Sequence, residues 1–223
     1  ACSGVSFSGH RGDTQERKAG MKTVKLTIDG KEVEAEEGKT ILEAAKSVGI
    51  TIPTLCYNEK LAPYGGCRFC TVEISKGGRA RLVVSCVYNV EDGLIVKTAT
   101  PKVMKVRKML LELMLASAPI LSELAKQYGI DKPRFKSEVT QCILCGQCVR
   151  YCAEVKKANA ITFVGRGVNR RVAFVDEVVK RGVCMDCRQC YGLCPTGKIP
   201  RETDGAYFEG IRISDVLARK KSK

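Results

Sequence analysis

Tryptophan, histidine and long apolar runs are almost missing from this sequence. Its 223 residues include no tryptophan and one histidine, His10, so acid–base catalysis by histidine has almost no residue to use. No apolar run reaches transmembrane length, because the best candidate, residues 109–118, is short and contains Glu112. Residues 1–20 also lack the apolar segment of a secretory signal. These absences predict a cytoplasmic chain with no membrane span.

Acidic residues are also few relative to basic ones. The chain has 38 Lys and Arg against 24 Asp and Glu, a formal net charge of +14. Three anionic clusters held by thiolates would lower this to roughly +8. Net charge alone would permit nucleic-acid binding, but no recognition motif accompanies it, so we expect no nucleic-acid partner.

Cysteine is abundant, with thirteen residues, and eight of them form two matched runs. Each run has the spacing C-x2-C-x2-C-x3-C, which is typical of ferredoxins with two [4Fe–4S] clusters. In such ferredoxins the fourth cysteine of each run binds the other cluster. The predicted ligands are Cys142, Cys145, Cys148 and Cys194 for one cluster, and Cys184, Cys187, Cys190 and Cys152 for the other.

Structural zinc sites and disulfides are the two other uses that these cysteines could have. Structural zinc also uses C-x2-C pairs, but a third C-x2-C step followed by x3-C is not the spacing of zinc ribbons. Disulfides need an oxidising compartment, and no secretory signal is visible. The spacing therefore favours iron–sulfur clusters.

Four further cysteines have the order C-x10-C-x2-C-x15-C, which suits a [2Fe–2S] cluster. Gly65, Gly66 and Arg68 lie in the short loop around the C-x2-C step and are predicted to contact the cofactor, since glycine lets backbone N–H groups approach sulfur. By analogy with plant-type clusters, Cys56 with Cys67 would bind one iron and Cys70 with Cys86 the other. The alternative is that these are four unliganded core cysteines.

The order of elements predicts an α+β protein with a β-grasp domain at its N-terminal end. Alternating apolar residues flank Asp29-Gly30, a strong hairpin signal, and Thr40 with Glu43 forms a capping box that opens a helix. The predicted parts are a disordered leader (1–20), the β-grasp [2Fe–2S] domain (21–98), a helical linker (99–137), a bacterial-type 2[4Fe–4S] ferredoxin domain (138–200) and a docking tail (201–223). Met21 is a candidate native start.

Inside the linker, residues 102–117 are predicted to be helical. The proposed apolar face consists of Val103, Val106, Leu110, Leu113 and Met114. In the last domain we predict a helix over 149–157 and strands over 161–164 and 171–175, with this insertion covering the clusters or contacting a partner.

The cysteine pattern resembles the N-terminal iron–sulfur region of the large iron–sulfur subunit of complex I. It also resembles the diaphorase subunits of NAD-linked hydrogenases and formate dehydrogenases. The resemblance covers roughly residues 22–200 and implies an electron-transfer subunit with one [2Fe–2S] and two [4Fe–4S] clusters and with no flavin or NAD of its own. Those families usually carry a further [4Fe–4S] site ligated by histidine, but residues 99–141 here contain no His and no Cys.

The resemblance also implies partners. They are a flavin- and NADH-binding subunit, a catalytic hydrogenase or formate dehydrogenase subunit, and soluble ferredoxin, with electron bifurcation as a setting. An iron–sulfur subunit of a quinone-linked dehydrogenase is disfavoured, because that family begins with C-x4-C rather than C-x10-C. A redox-sensing protein would need an output domain, and the sequence shows none.

Overall fold

A computed structural model describes residues 22–136, 140–180, 187, 189–198, 207–208 and 211–212. The predicted leader, the candidate start Met21, the ligand candidate Cys184 and most of the tail lie outside the described residues. Within the described ranges, no helix has the length and apolar character that a bilayer crossing requires.

The N-terminal half is a five-stranded mixed sheet with one short helix. The sheet order is β2-β1-β5-β3-β4, with β1 and β5 parallel and the other neighbours antiparallel. This arrangement confirms the predicted α+β class and the β-grasp start. The elements are β1 (Thr23–Ile28), β2 (Lys31–Glu36), α1 (Ile41–Ser47), β3 (Thr71–Lys76), β4 (Arg79–Val84) and β5 (Leu94–Lys97).

The first hairpin forms because its sequence alternates and its turn tolerates positive φ. Val24, Leu26 and Ile28 are buried on one face of β1. Asp29 and Gly30 have φ of 50° and 85°, the pair of left-handed values that a two-residue hairpin turn needs. The strand therefore presents one apolar face to the core.

Helix α1 covers that face. Thr40 caps it as predicted: its hydroxyl accepts from the Glu43 N–H at 3.3 Å, and the Glu43 carboxylate accepts from the Thr40 N–H at 2.7 Å. Ile41, Leu42 and Ala45 are buried in the core between helix and sheet. The chain then leaves the helix toward the first of the cysteines.

The linker is helical, but the predicted apolar face of its long helix is wrong. Helix α2 (Pro101–Ser117) is followed by a 3-10 turn (Pro119–Leu121) and α3 (Ser122–Lys126). Leu113 is 49% exposed, and only Val103 of the predicted set is buried. The true stripe repeats every four residues and includes a charged position, which apolar periodicity alone does not reveal. Its members are Val103, Arg107, Leu111 and Leu115.

The C-terminal half is built from short elements. Helix α4 (Gln147–Arg150) continues into a π-helical turn (Tyr151–Val155), so the predicted helix begins two residues earlier. The two predicted strands form an antiparallel pair. They are β6 (Ile161–Val164) and β7 (Arg171–Phe174), followed by α5 (Asp176–Lys180), a 3-10 turn (Tyr191–Leu193), β8 (Tyr207–Phe208) and β9 (Ile211–Arg212).

Candidate iron–sulfur centres

The four cysteines of the N-terminal half are all buried and lie in loops. Each is at most 5% exposed, and none forms a disulfide. Cys56 follows α1, Cys67 and Cys70 precede β3, and Cys86 follows β4. The sheet thus fixes both sides of the loop that carries the C-x2-C step.

These cysteines form two contacting pairs. A hydrogen bond with Cys56 lowers the pKa of Cys67 to about 6, and the same contact raises the pKa of Cys56. A hydrogen bond with Cys86 likewise lowers the pKa of Cys70 to about 7 and raises that of Cys86. Each pair therefore holds one thiolate readily, and a cation is needed to stabilise the second. The structure thus brings together the residues that the sequence pairs on each iron, and their binding of iron stays a prediction.

The glycine loop packs tightly around these sulfurs. The N–H groups of Gly65 and Gly66 hydrogen-bond to Cys86 and Cys56 and oppose the rise in their pKa. A Cβ on Gly66 would lie 2.4 Å from Cε1 of Tyr64, so that position has no room for a side chain. Arg68 has φ of 57° and its carbonyl accepts from the Thr71 hydroxyl at 2.6 Å. The Arg68 side chain is exposed, so it is the Arg68 backbone that shapes the loop.

Three cysteines of the first run lie beside the last cysteine of the second run. The pKa of Cys145 is raised to about 11, chiefly by burial and also by the nearby Cys194 and Cys142. Burial also raises the pKa of Cys148, again with contributions from Cys145, Cys194 and Cys142. The structure therefore brings together the four cysteines that the spacing assigned to one [4Fe–4S] cluster.

The second predicted four-iron site is described in part. Cys152 is buried in the same core as Cys190, and its sulfur accepts from the Ala160 N–H at 3.2 Å. Cys187 is partly buried, and Cys184 lies outside the described residues. Cys152 and Cys190 thus lie together as predicted.

One apolar core contains ligand candidates of both halves. Cys56, Cys67 and Cys145 pack in a cluster with Phe69 and Leu111. Cys67 and Cys145 are also within electrostatic range of each other. The two-iron site and the first four-iron site therefore share an interior rather than being separated by solvent.

Polar contacts fix the same junction. Nε2 of Gln147, which is 6% exposed, donates to the Leu55 carbonyl at 2.8 Å. The Arg150 guanidinium lies 4.9 Å from the centre of the Tyr64 ring and donates to the Ala62 carbonyl. These contacts join the loop after α1 to helix α4.

Sequence reasoning missed three residues, which are Gln147 and Tyr64 at this junction and Arg107 on helix α2. Gln147 and Tyr64 lie next to predicted ligand motifs, but nothing in the motif spacing shows which side chains face the other domain. Arg107 could have been found from the four-residue repeat Val103, Arg107, Leu111. A charged residue on an otherwise apolar stripe is the signal.

The donor chemistry fits iron–sulfur clusters. Buried thiols without disulfides, grouped in pairs and fours, with N–H groups directed at sulfur, are the environment that cluster ligation uses. In the described part of the chain, no three His, Cys, Asp or Glu side chains form a group that could hold a single metal ion.

Comparison with known families decides the nature of both halves. Residues 21–101 match the 2Fe-2S iron-sulfur cluster binding domain, and residues 141–198 match the 4Fe-4S dicluster domain. The chain contains a 2Fe-2S ferredoxin-like domain and a 4Fe-4S dicluster domain. Its predicted [2Fe–2S] and dicluster ferredoxin domains are therefore confirmed.

The curated relatives of this iron–sulfur protein are much longer. It is 35% identical over 205 residues to the NADPH-Fe(3+) oxidoreductase subunit alpha of Geobacter sulfurreducens, covering 79% of this chain and 24% of that protein. It is 33% identical to the NADP-reducing hydrogenase subunit HndD of Solidesulfovibrio fructosivorans (80% and 36%) and to the NADH-ubiquinone oxidoreductase 75 kDa subunit of Reclinomonas americana (87% and 33%). The chain thus spans roughly a quarter to a third of these proteins.

A solved structure gives a similar result. A chain of the NAD+-reducing [NiFe]-hydrogenase, crystallised in the H2-reduced state, superposes with a TM-score of 0.61 at 28% identity. The match covers 68% of this iron–sulfur protein and 75% of the hydrogenase chain. The resemblance to the N-terminal region of large iron–sulfur subunits is thereby confirmed.

Proposed function

We propose that this chain is the electron-relay part of a multi-subunit NAD(P)(H)-linked oxidoreductase. It would be a non-catalytic part in the cytoplasm, carrying one [2Fe–2S] and two [4Fe–4S] clusters and no flavin or NAD. When bound, such clusters accept and release single electrons, which is the chemistry a relay needs. The shared core of Cys67 and Cys145 carries the proposal, because it puts two redox sites in one interior.

The predicted ligands keep their roles in this proposal. Each of the three sets below would hold one cluster. The domains that carry them are proposed to span residues 21–98 and 138–200 and to be joined by residues 99–137. The sets are Cys56, Cys67, Cys70 and Cys86; Cys142, Cys145, Cys148 and Cys194; and Cys152, Cys184, Cys187 and Cys190.

The partners follow from the relatives. These relatives are named as NADPH-, NADP- or NADH-linked oxidoreductase and hydrogenase subunits. We infer that a flavin- and NADH-binding subunit and a catalytic subunit flank this chain, with soluble ferredoxin as a further electron partner. Since residues 99–141 have neither His nor Cys, electrons would pass directly between the two-iron site and a four-iron site, or leave through another subunit.

Anaerobic reconstitution tests the proposal. The whole chain is expected to bind about 10 iron atoms, from one two-iron and two four-iron clusters. Cys70→Ser should abolish the two-iron EPR signal and lower the iron content to about 8, leaving the four-iron signals. Cys2→Ser, which changes the thirteenth cysteine, should leave all signals intact.

Three results would contradict the proposal. Stoichiometric zinc, or about four iron atoms in the wild-type chain, would refute the cluster assignment. NADH oxidation by the purified chain without a flavoprotein would refute the relay role.

A further inference from the structure

Arg107 is a charged side chain in an apolar setting. Only 4% of its surface is exposed, and its neighbours on the same stripe of α2, Val103 and Leu111, are fully buried. Burying a guanidinium is unfavourable unless hydrogen bonds and an opposite charge compensate. Its surroundings therefore have to supply both.

The hydrogen bonds are made to the backbone around a predicted cluster ligand. Nε of Arg107 donates to the Phe69 carbonyl at 3.2 Å, and a terminal nitrogen donates to the Thr71 carbonyl at 2.8 Å. These carbonyls belong to the residues directly before and after Cys70. The planar guanidinium thus joins both sides of the ligand to helix α2.

The opposite charge is incomplete in the protein alone. Ion pairs among the described residues include none with Arg107. Burial lowers the pKa of Arg107, and Tyr128, Cys70 and, more weakly, Asp29 oppose this effect. The Asp29 carboxylate already accepts from the Thr98 hydroxyl at 2.6 Å. Among the groups near Arg107, Cys70 is the predicted cluster ligand, and its thiolate would place a negative charge close to the guanidinium.

We propose that Arg107 is the counter-charge of the two-iron site and sets its reduction potential. The inference rests on the proposed function, because it requires a [2Fe–2S] cluster at Cys70. Such a cluster with its thiolates is anionic, and one-electron reduction converts one Fe3+ to Fe2+ and adds a negative charge without breaking a bond. A fixed cation stabilises the reduced form more than the oxidised form, which raises the potential.

An EPR-monitored redox titration of the reconstituted full chain, with dithionite as electron donor, tests this role. At an effective dielectric constant of about 20, a unit charge about 10 Å away changes a one-electron equilibrium roughly tenfold. Arg107→Gln should therefore disfavour reduction about tenfold, which is a fall of about 59 mV. Arg107→Lys keeps the charge and should retain a potential close to that of the wild type.

Lys105→Gln is the matched control, because it removes one exposed positive charge from the same helix. It should leave the two-iron potential unchanged, and no variant should shift the four-iron signals. If the Gln variant does not assemble the cluster but the Lys variant does, a positive charge at residue 107 is needed for the cluster to bind, which also supports the counter-charge role.

Three results would overturn the inference. They are an unshifted potential in the Gln variant, a shift in the Lys variant as large as that in the Gln variant, or cluster loss in both. Absence of the two-iron EPR signal from the wild type would instead refute the proposed function, so the two failures are distinguishable.

Discussion

At the scale of single residues, the cluster loop is held by an aromatic ring. Tyr64 packs against Gly66 in its own loop, and a Cβ at Gly146 of the other half would lie 3.4 Å from the same ring. Arg150 lies over the ring as well. Because Gly66 and Gly146 have no side chains, there is space for the Tyr64 ring, which lies against both domains.

Gly66→Ala should destabilise the protein through this ring. The new methyl would overlap Tyr64, and such overpacking typically costs about 1–3 kcal/mol of unfolding free energy. Thermal unfolding of the holoprotein measures the cost. In a Tyr64→Ala background the cost should largely disappear, and an equal cost in both backgrounds would contradict the packing explanation. Gly192→Ala, where a Cβ meets nothing within 4 Å, is the control.

At the scale of elements, α2 works as the spine between the two halves. Its buried stripe packs Leu111 and Leu115 into the core that also holds Cys67 and Cys145. Residues 99–141 contain no His and no Cys, so α2 contributes to this part of the chain through packing.

Leu111→Ala and Leu113→Ala should behave very differently. Leu111 is fully buried, so its truncation should cost about 2–5 kcal/mol, whereas Leu113 is 49% exposed and should cost under about 0.5 kcal/mol. Chemical denaturation of the two variants measures both values. Equal costs would restore the apolar face that the sequence predicted.

That helix also shows how far sequence reasoning reaches. The hairpin at Asp29-Gly30 and the cap at Thr40 were predictable, because turn and capping signals are local. The cysteine sets follow from spacing, because cluster ligation constrains it, and their assignment to clusters stays a prediction. The repeat Val103, Arg107, Leu111 marks Arg107 as a position on the buried stripe, but the groups that compensate its burial were not predictable, since they are carbonyls 36 and 38 residues away in the chain. Long-range compensation of a buried charge leaves no local pattern.

At the scale of the whole molecule, the two domains are joined by contacts that do not involve the linker. Gln147 reaches the Leu55 carbonyl across 92 residues of sequence, and Glu154 accepts from the Ala62 N–H at 3.3 Å. These contacts fix the loop after α1 against helix α4 and the π-helical turn that follows it. The distance between the two halves is thus set by side chains as well as by chain connectivity.

Gln147→Leu should loosen this junction. The Leu55 carbonyl would lose its donor while staying partly buried, a loss of about 1–3 kcal/mol that corresponds to opening roughly 5- to 150-fold more often. Hydrogen–deuterium exchange of residues 55–64 in the holoprotein measures the opening. The same substitution at the exposed Gln127 should leave this exchange unchanged. Unchanged exchange in Gln147→Leu would show that the hydrogen bond does not hold the domains.

The interior common to Cys67 and Cys145 also bears on how the protein ages in air. Oxidants attack thiolates that they can reach, and a closely packed interior slows their access only while the surrounding side chains stay packed. Damage at one metal centre would unpack the wall of its neighbour. Oxidative inactivation should therefore proceed as one event that destroys both centres together, rather than as two independent losses.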